Sequence, residues 1–60
     1  MKEHDIVRNL KSIPVEEYDS IPEGSRGTII SEHDENWVTV EFVVPTTYVI
    51  TVEKENLERI

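Results

Sequence analysis

The chain has 60 residues, with 13 Asp and Glu against 6 Lys and Arg for a formal net charge of −7, and no cysteine. A chain this short buries only about 60% of the surface its unfolded form exposes, which leaves one compact core and no room to enclose a deep substrate pocket. The missing cysteines exclude disulfides and thiolate zinc sites, and the negative excess opposes contact with a phosphate backbone.

Met1 to Asp5 lacks the apolar core of a signal peptide, and no apolar run reaches membrane-spanning length, so a soluble cytoplasmic protein without membrane contact is expected. Asp5 to Lys11 reads as a first strand; Ile6, Val7 and Leu10 alternate imperfectly and leave the facing of Val7 open. Ser12 to Ser25 combines Pro14, Pro22 and Gly24 with Glu16, Glu17, Asp19 and Glu23, the composition of a long loop. Unstructured segments of this length in small domains are commonly functional. Ile13, Val15, Tyr18 and Ile21 are its apolar anchors.

Arg26 to His33 forms the second strand, Asp34-Glu35-Asn36 the turn, and Trp37 to Val43 a third strand rich in β-branched and aromatic residues. Side chains alternate with period 2, so Val38, Val40 and Phe42 share one face and Trp37, Thr39, Glu41 and Val43 the other. The face without charge is assigned to the core. Val44-Pro45-Thr46-Thr47 turns the chain, because Pro45 has no N–H for a ladder. Tyr48 to Glu53 alternates again, with Tyr48, Ile50 and Val52 on one face. Lys54-Glu55-Asn56 is too short for an α-helix and reads as one 3-10 turn before a last strand, Leu57 to Ile60. A helix over 53–60, which the spacing of Leu57 and Ile60 also fits, is the rival reading. Gly24 suits a positive φ in a turn, and Gly27 a close backbone crossing at a strand entry that a Cβ would obstruct.

This is an all-β pattern: five short strands, a long first loop and a short 3-10 turn before the last strand. Closing such a sheet removes exposed edges, and the order of elements is that of a five-stranded SH3-like barrel, here one domain over residues 1–60. Asp5-Ile6-Val7, Pro22-Glu23-Gly24, Gly27-Thr28-Ile29-Ile30, Val40-Glu41-Phe42 and Leu57 resemble the pattern of the short bacterial domains grouped as domain of unknown function 4926, relatives of KOW-type SH3-like barrels. The resemblance spans nearly the whole chain through short apolar motifs. It implies the barrel and brings no catalytic or ligand residues with it. The chain departs from the pattern where Val43 to Thr47 replaces an Asp-Gly type turn, and where Asn9 stands in place of an apolar residue.

Little in the chain suits catalysis. His33 beside Asp34 and Glu35, and His4 beside Glu3 and Asp5, fall short of a metal-ligand set, and no cofactor motif is present. A carboxylate pair such as Glu32 with Asp34 lies in a turn without the burial that tunes acid–base groups, and Ser12, Ser20, Ser25 and Ser31 lack a nucleophile motif. Arg8, Lys11, Arg26, Lys54 and Arg59 are scattered rather than gathered into a basic groove, which ranks nucleic-acid binding below protein binding.

In peptide-binding SH3 domains a groove lined by aromatics lies between the long first loop and the turn before the third strand. Tyr18 sits in that loop and Trp37 follows that turn, flanked by Glu16, Glu17, Asp19, Glu32, Asp34 and Glu35. These eight residues form the expected partner-binding set, and a basic protein is the expected partner. The Ala-Leu-Tyr-Asp-Tyr stretch of those domains is missing and Leu57 stands where the 3-10 turn would offer a tyrosine, so a proline-rich ligand is not expected. One version of this reading is an antitoxin or immunity-type inhibitor covering the basic site of a nuclease-like toxin. The alternative is a structural or homodimeric domain held through Val43, Val44 and Val49. Two questions of facing stay open: whether Trp37 caps one end of the core or forms an interface, and whether the acids serve solubility or steering.

Overall fold

The alternation of β-branched and aromatic residues is realised as seven strands in the computed structural model, which describes residues 1–16, 19–43 and 46–60. Strands β1 (Ile6–Asn9), β4 (Arg26–Glu32), β5 (Trp37–Phe42), β6 (Tyr48–Glu53) and β7 (Leu57–Arg59) form one antiparallel sheet in the order β6-β5-β4-β1-β7. Strands β2 (Ile13–Glu16) and β3 (Asp19–Ile21) form a separate two-stranded sheet. The fold is all-β. Among the described residues β6 and β7 do not pair, so the large sheet is not closed by a ladder. No helix of the described residues is long and apolar enough to cross a membrane.

The core follows the alternation. Val7, Ile21, Ile29, Val38, Val40 and Phe42 are fully buried, Val52 and Leu57 nearly so, and Ile13, Val15, Tyr48 and Ile50 pack around them. Val38, Val40 and Phe42 point inward as their charge-free face predicts. On β1 the inward pair is Val7 and Asn9, which sends Ile6 to the surface. An extra residue, Ile30, lies between the pairs Ile29↔Val40 and Ser31↔Thr39. Such a bulge bends a strand, and here it falls between the part of β4 that pairs with β1 and the part that runs on along β5 alone.

The segment Ser12 to Ser25, expected as one long loop, carries a hairpin, and the described residues form seven strands rather than five. Ile13 and Val15 alternate toward the core while Pro14 faces outward opposite Ser20. In a two-stranded sheet each strand has one free edge, so a missing N–H at Pro14 is tolerated. The register shifts between Pro14 and Glu16, and residues 17 and 18 lie outside the described residues. The helix considered over 53–60 does not form: Lys54–Asn56 is a 3-10 turn and β7 pairs with β1, Asn9 opposite Leu57 and Val7 opposite Arg59. Val44 and Pro45 of the expected turn lie outside the described residues.

Asn9 ties this segment down at both ends. Its side chain is 1% exposed, and its Nδ2 donates to the carbonyls of Lys11 (2.8 Å) and Pro22 (2.9 Å), with a longer contact to Ile21 (3.5 Å). Its backbone N–H donates to Ser25 (3.1 Å) and its carbonyl accepts from Gly24 (2.9 Å). Gly24 has φ +84°, the left-handed turn geometry that glycine adopts without cost. A Cβ on Gly27 would lie 2.6 Å from Val40 Cγ1 and 3.0 Å from the Glu41 carbonyl, so the close crossing expected there is present.

Candidate functional site

The turn before β5 is built by its own residues. Asp34 Oδ1 accepts from the backbone N–H of Asn36 (2.7 Å) and of Trp37 (3.0 Å), an Asx-type arrangement that fixes where β5 begins. The Asn36 carbonyl accepts from Lys54 N–H (2.7 Å), which binds the turn to the start of the 3-10 turn. Trp37 is thereby held between the turn and its cross-strand partner Glu53. Its indole is 41% exposed and belongs to the outer face of the sheet.

That indole lines a cleft of about 170 Å³. One wall is the base of the hairpin, Lys11 to Pro14, and the other runs from Thr51 through Glu53 to Asn56. The walls are ordered for different reasons: Asn9 pins the Lys11 carbonyl, and the β5–β6 ladder carries the opposite side. The floor is apolar through Ile13 and Val52, and the rim carries Lys11 on one side and Glu53 on the other. Glu32, at the end of β4 opposite Val38, and Glu35, on the turn, are exposed but do not line the cleft, and among the described residues neither enters an ion pair.

The other acids of the expected set sit elsewhere. Asp19 Oδ2 accepts from the Tyr48 hydroxyl (2.7 Å), Asp19 Oδ1 from the Ser20 N–H (2.9 Å), and Glu16 pairs opposite Asp19 in the hairpin. The Tyr48 phenol is raised above its ordinary value of 10.0, first by the hydrogen bond it gives Asp19; a bond to Thr46 opposes this, while burial and the charges of Asp19 and Glu16 add to it. Tyr48 faces Phe42 whereas Trp37 faces Glu53, five residues along the same ladder. At about 3.4 Å per residue this separates the two acidic groups by about 17 Å.

The structure therefore brings Trp37, Glu32, Asp34 and Glu35 together at one end of β5–β6 and places Glu16 and Asp19 at the other. Asp34 and Asp19 have folding roles already, as turn cap and as tyrosine partner. Glu17 and Tyr18 lie outside the described residues. Sequence reasoning did not assign Lys11, Ile13, Pro14, Glu53 or Asn56 to the site. Of these, only Glu53 had a readable signal, since the alternation of the fourth predicted strand puts it on the outer face with Thr51.

Among the described residues no three His, Asp or Glu side chains gather as metal ligands would. Comparison of the chain with family models, curated proteins and solved structures gives no match.

Proposed function

We propose that the protein is a non-catalytic interaction module that docks a basic protein partner through the cleft at Trp37. The observation that carries this reading is the exposed indole on a cleft with fixed walls that Glu53 also lines, with Glu32 and Glu35 exposed on the neighbouring end of β4 and on the turn. An indole face beside carboxylates is a receptor for a guanidinium or ammonium group, by cation–π attraction and by charge. Tryptophan in such a place is also the residue type that most often dominates binding energy. The net charge of −7 would speed the approach of a basic partner.

The finer fold reading belongs with this proposal. The strand order β6-β5-β4-β1-β7, a hairpin in the first long connection and a 3-10 turn before the last strand all support an SH3-like barrel; kinship to the 4926 domains rests on the short sequence motifs alone. The antitoxin or immunity-type version specifies the partner as a nuclease-like toxin whose basic nucleic-acid site the module covers.

The test is affinity capture from the native host at moderate salt, followed by calorimetric titration of the captured partner against wild type and variants. Trp37→Ala should weaken binding by about 2 kcal/mol, roughly 30-fold, and Glu35→Lys with Glu53→Lys by a further salt-dependent factor. Affinity unchanged by Trp37→Ala in a folded protein would remove the proposal.

A further inference from the structure

The outer face of the large sheet carries a second surface, away from the tryptophan cleft. The registers Ile6↔Thr28, Thr28↔Glu41 and Glu41↔Val49 set these four residues side by side across β1, β4, β5 and β6. Ile60 extends the row past β1, its N–H donating to the Ile6 carbonyl (3.0 Å). The next row holds Glu58, Arg8 and Arg26, and Val43 follows Phe42, the partner of Gly27, so it comes beside Arg26. Ile6, Arg26, Thr28, Glu41 and Val43 line a shallow groove of about 340 Å³.

Two properties of this face point to the same occupant. Of the seven exposed large apolar residues among those described, four lie here: Ile6 (44%), Val43 (60%), Val49 (53%) and Ile60 (58%). Apolar clustering of this kind marks a surface that something covers. The charge is also unlike the rest of the molecule. Within these two rows Arg8 and Arg26 balance Glu41 and Glu58, so the carboxylate excess of the chain lies outside the patch. A basic partner gains nothing from a neutral face, and a second acidic copy is not repelled by it. Arg8 already pairs with Glu58, whereas Arg26 and Glu41 enter no ion pair among the described residues. They stand in adjacent rows of one groove, so the patch contains its own charge complement.

We propose that this face is an isologous homodimer interface, with Arg26 of each copy against Glu41 of the other and Ile6, Val43, Val49 and Ile60 as the apolar centre. Two-fold symmetry satisfies both charge pairs with one contact geometry, which is the usual logic of a symmetric dimer. An interface centred on four apolar side chains per copy is expected to dissociate in the micromolar range. The inference is independent of the cleft and of any partner that binds there.

Sedimentation equilibrium of the full chain from about 1 μM to about 1 mM tests it. The expected result is a mass rising from the 7.0 kDa monomer toward twice that value. Arg26→Glu and Glu41→Arg, each alone, put like charges across the axis and should weaken association at least about tenfold. An equimolar mixture of the two variants should associate as wild type does, because every introduced carboxylate then meets a guanidinium. Trp37→Ala should leave the dimer unchanged. Amide chemical shifts on diluting wild type give a check that needs no variant, and changes should centre on residues 6, 26, 28, 41, 43, 49 and 60. A monomer at every concentration, a dimer indifferent to both charge changes, a mixture that stays monomeric, or dilution shifts centred on Trp37 would each overturn the proposal.

Discussion

Replacing Asn9 with Asp keeps the shape of the side chain and exchanges its donor group for a second acceptor. Nδ2 sits 2.8 and 2.9 Å from two carbonyls and 3.5 Å from a third, so the substitution turns attraction into repulsion without opening a cavity. Two lost hydrogen bonds cost about 1 kcal/mol each or more, since their carbonyls stay partly buried. A carboxylate facing these carbonyls, at a position only 1% exposed, adds at least about 3 kcal/mol. The sum, about 5 kcal/mol, is comparable to the roughly 3–9 kcal/mol that holds a 60-residue domain together. The Asn9→Asp variant should therefore lose most of its stability at neutral pH.

Protonation changes that outcome and supplies the decisive readout. Burial and the surrounding carbonyls raise the introduced carboxyl's folded-state pKa above its unfolded value, so the folded state binds more protons between the two. The variant's deficit relative to wild type is then smallest below about pH 4, where the single O–H restores one of the two donors, and grows as pH rises, by up to about 1.4 kcal/mol per unit, until the folded-state value is passed. Urea melts of both proteins, followed by Trp37 fluorescence and circular dichroism between about pH 3.5 and 7.5, give the difference directly. A deficit independent of pH, or smaller than about 1 kcal/mol at neutral pH, would refute the role given to Asn9.

Gly27→Ala should cost about 1–3 kcal/mol, because its Cβ would fall 2.6 Å from Val40 Cγ1, 2.9 Å from Phe42 Cδ1 and 3.0 Å from the Glu41 carbonyl. The melting temperature should drop by roughly 5–20 °C; an unchanged melt would show that the β4–β5 crossing is not close. Gly24→Ala, with nothing within 4 Å of its Cβ and φ +84°, should cost only about 1 kcal/mol of backbone strain. The Tyr48 phenol, in a Tyr18→Phe background, should ionise above 10.0 by ultraviolet titration. Since its folded value is raised, its link to Asp19 is fully present below pH 10.0 and is lost as pH climbs through the folded value; Tyr48→Phe should abolish this alkaline loosening of the hairpin.

Much of the large sheet was legible because its signals are local. The alternation of Val38, Val40 and Phe42, the Gly27 entry and the Lys54–Asn56 turn need only neighbours along the chain to be read. The hairpin was hidden because Pro14 and Pro22 are punctuation in a sequence, whereas at the free edge of a two-stranded sheet Pro14 is tolerated. Asn9 was visible only as a departure from an apolar pattern; the carbonyls it serves are 2 to 13 residues away and converge only in the folded chain. The expected site was split for a related reason. Composition shows two acidic groups, but the length of the β5–β6 ladder that separates them is a property of register. Asp34 could have been assigned a folding role from its place two residues before Asn36 at a strand entry.

The placement of β1 between β4 and β7 also gives its pairings a long sequence separation. The turns joining β4, β5 and β6 close over a few residues, so that meander can form from contacts made soon after each segment is synthesised. β1 waits for neighbours far along the chain: Gly27 must come opposite Val7, and Arg59 must come opposite it from the other side. Pairings of such separation carry the entropy of closing a long loop before they return any contact, and they slow folding. β1 is enclosed on both sides only once β7 has paired with it, and until then Val7, fully buried in the folded domain, keeps one open flank.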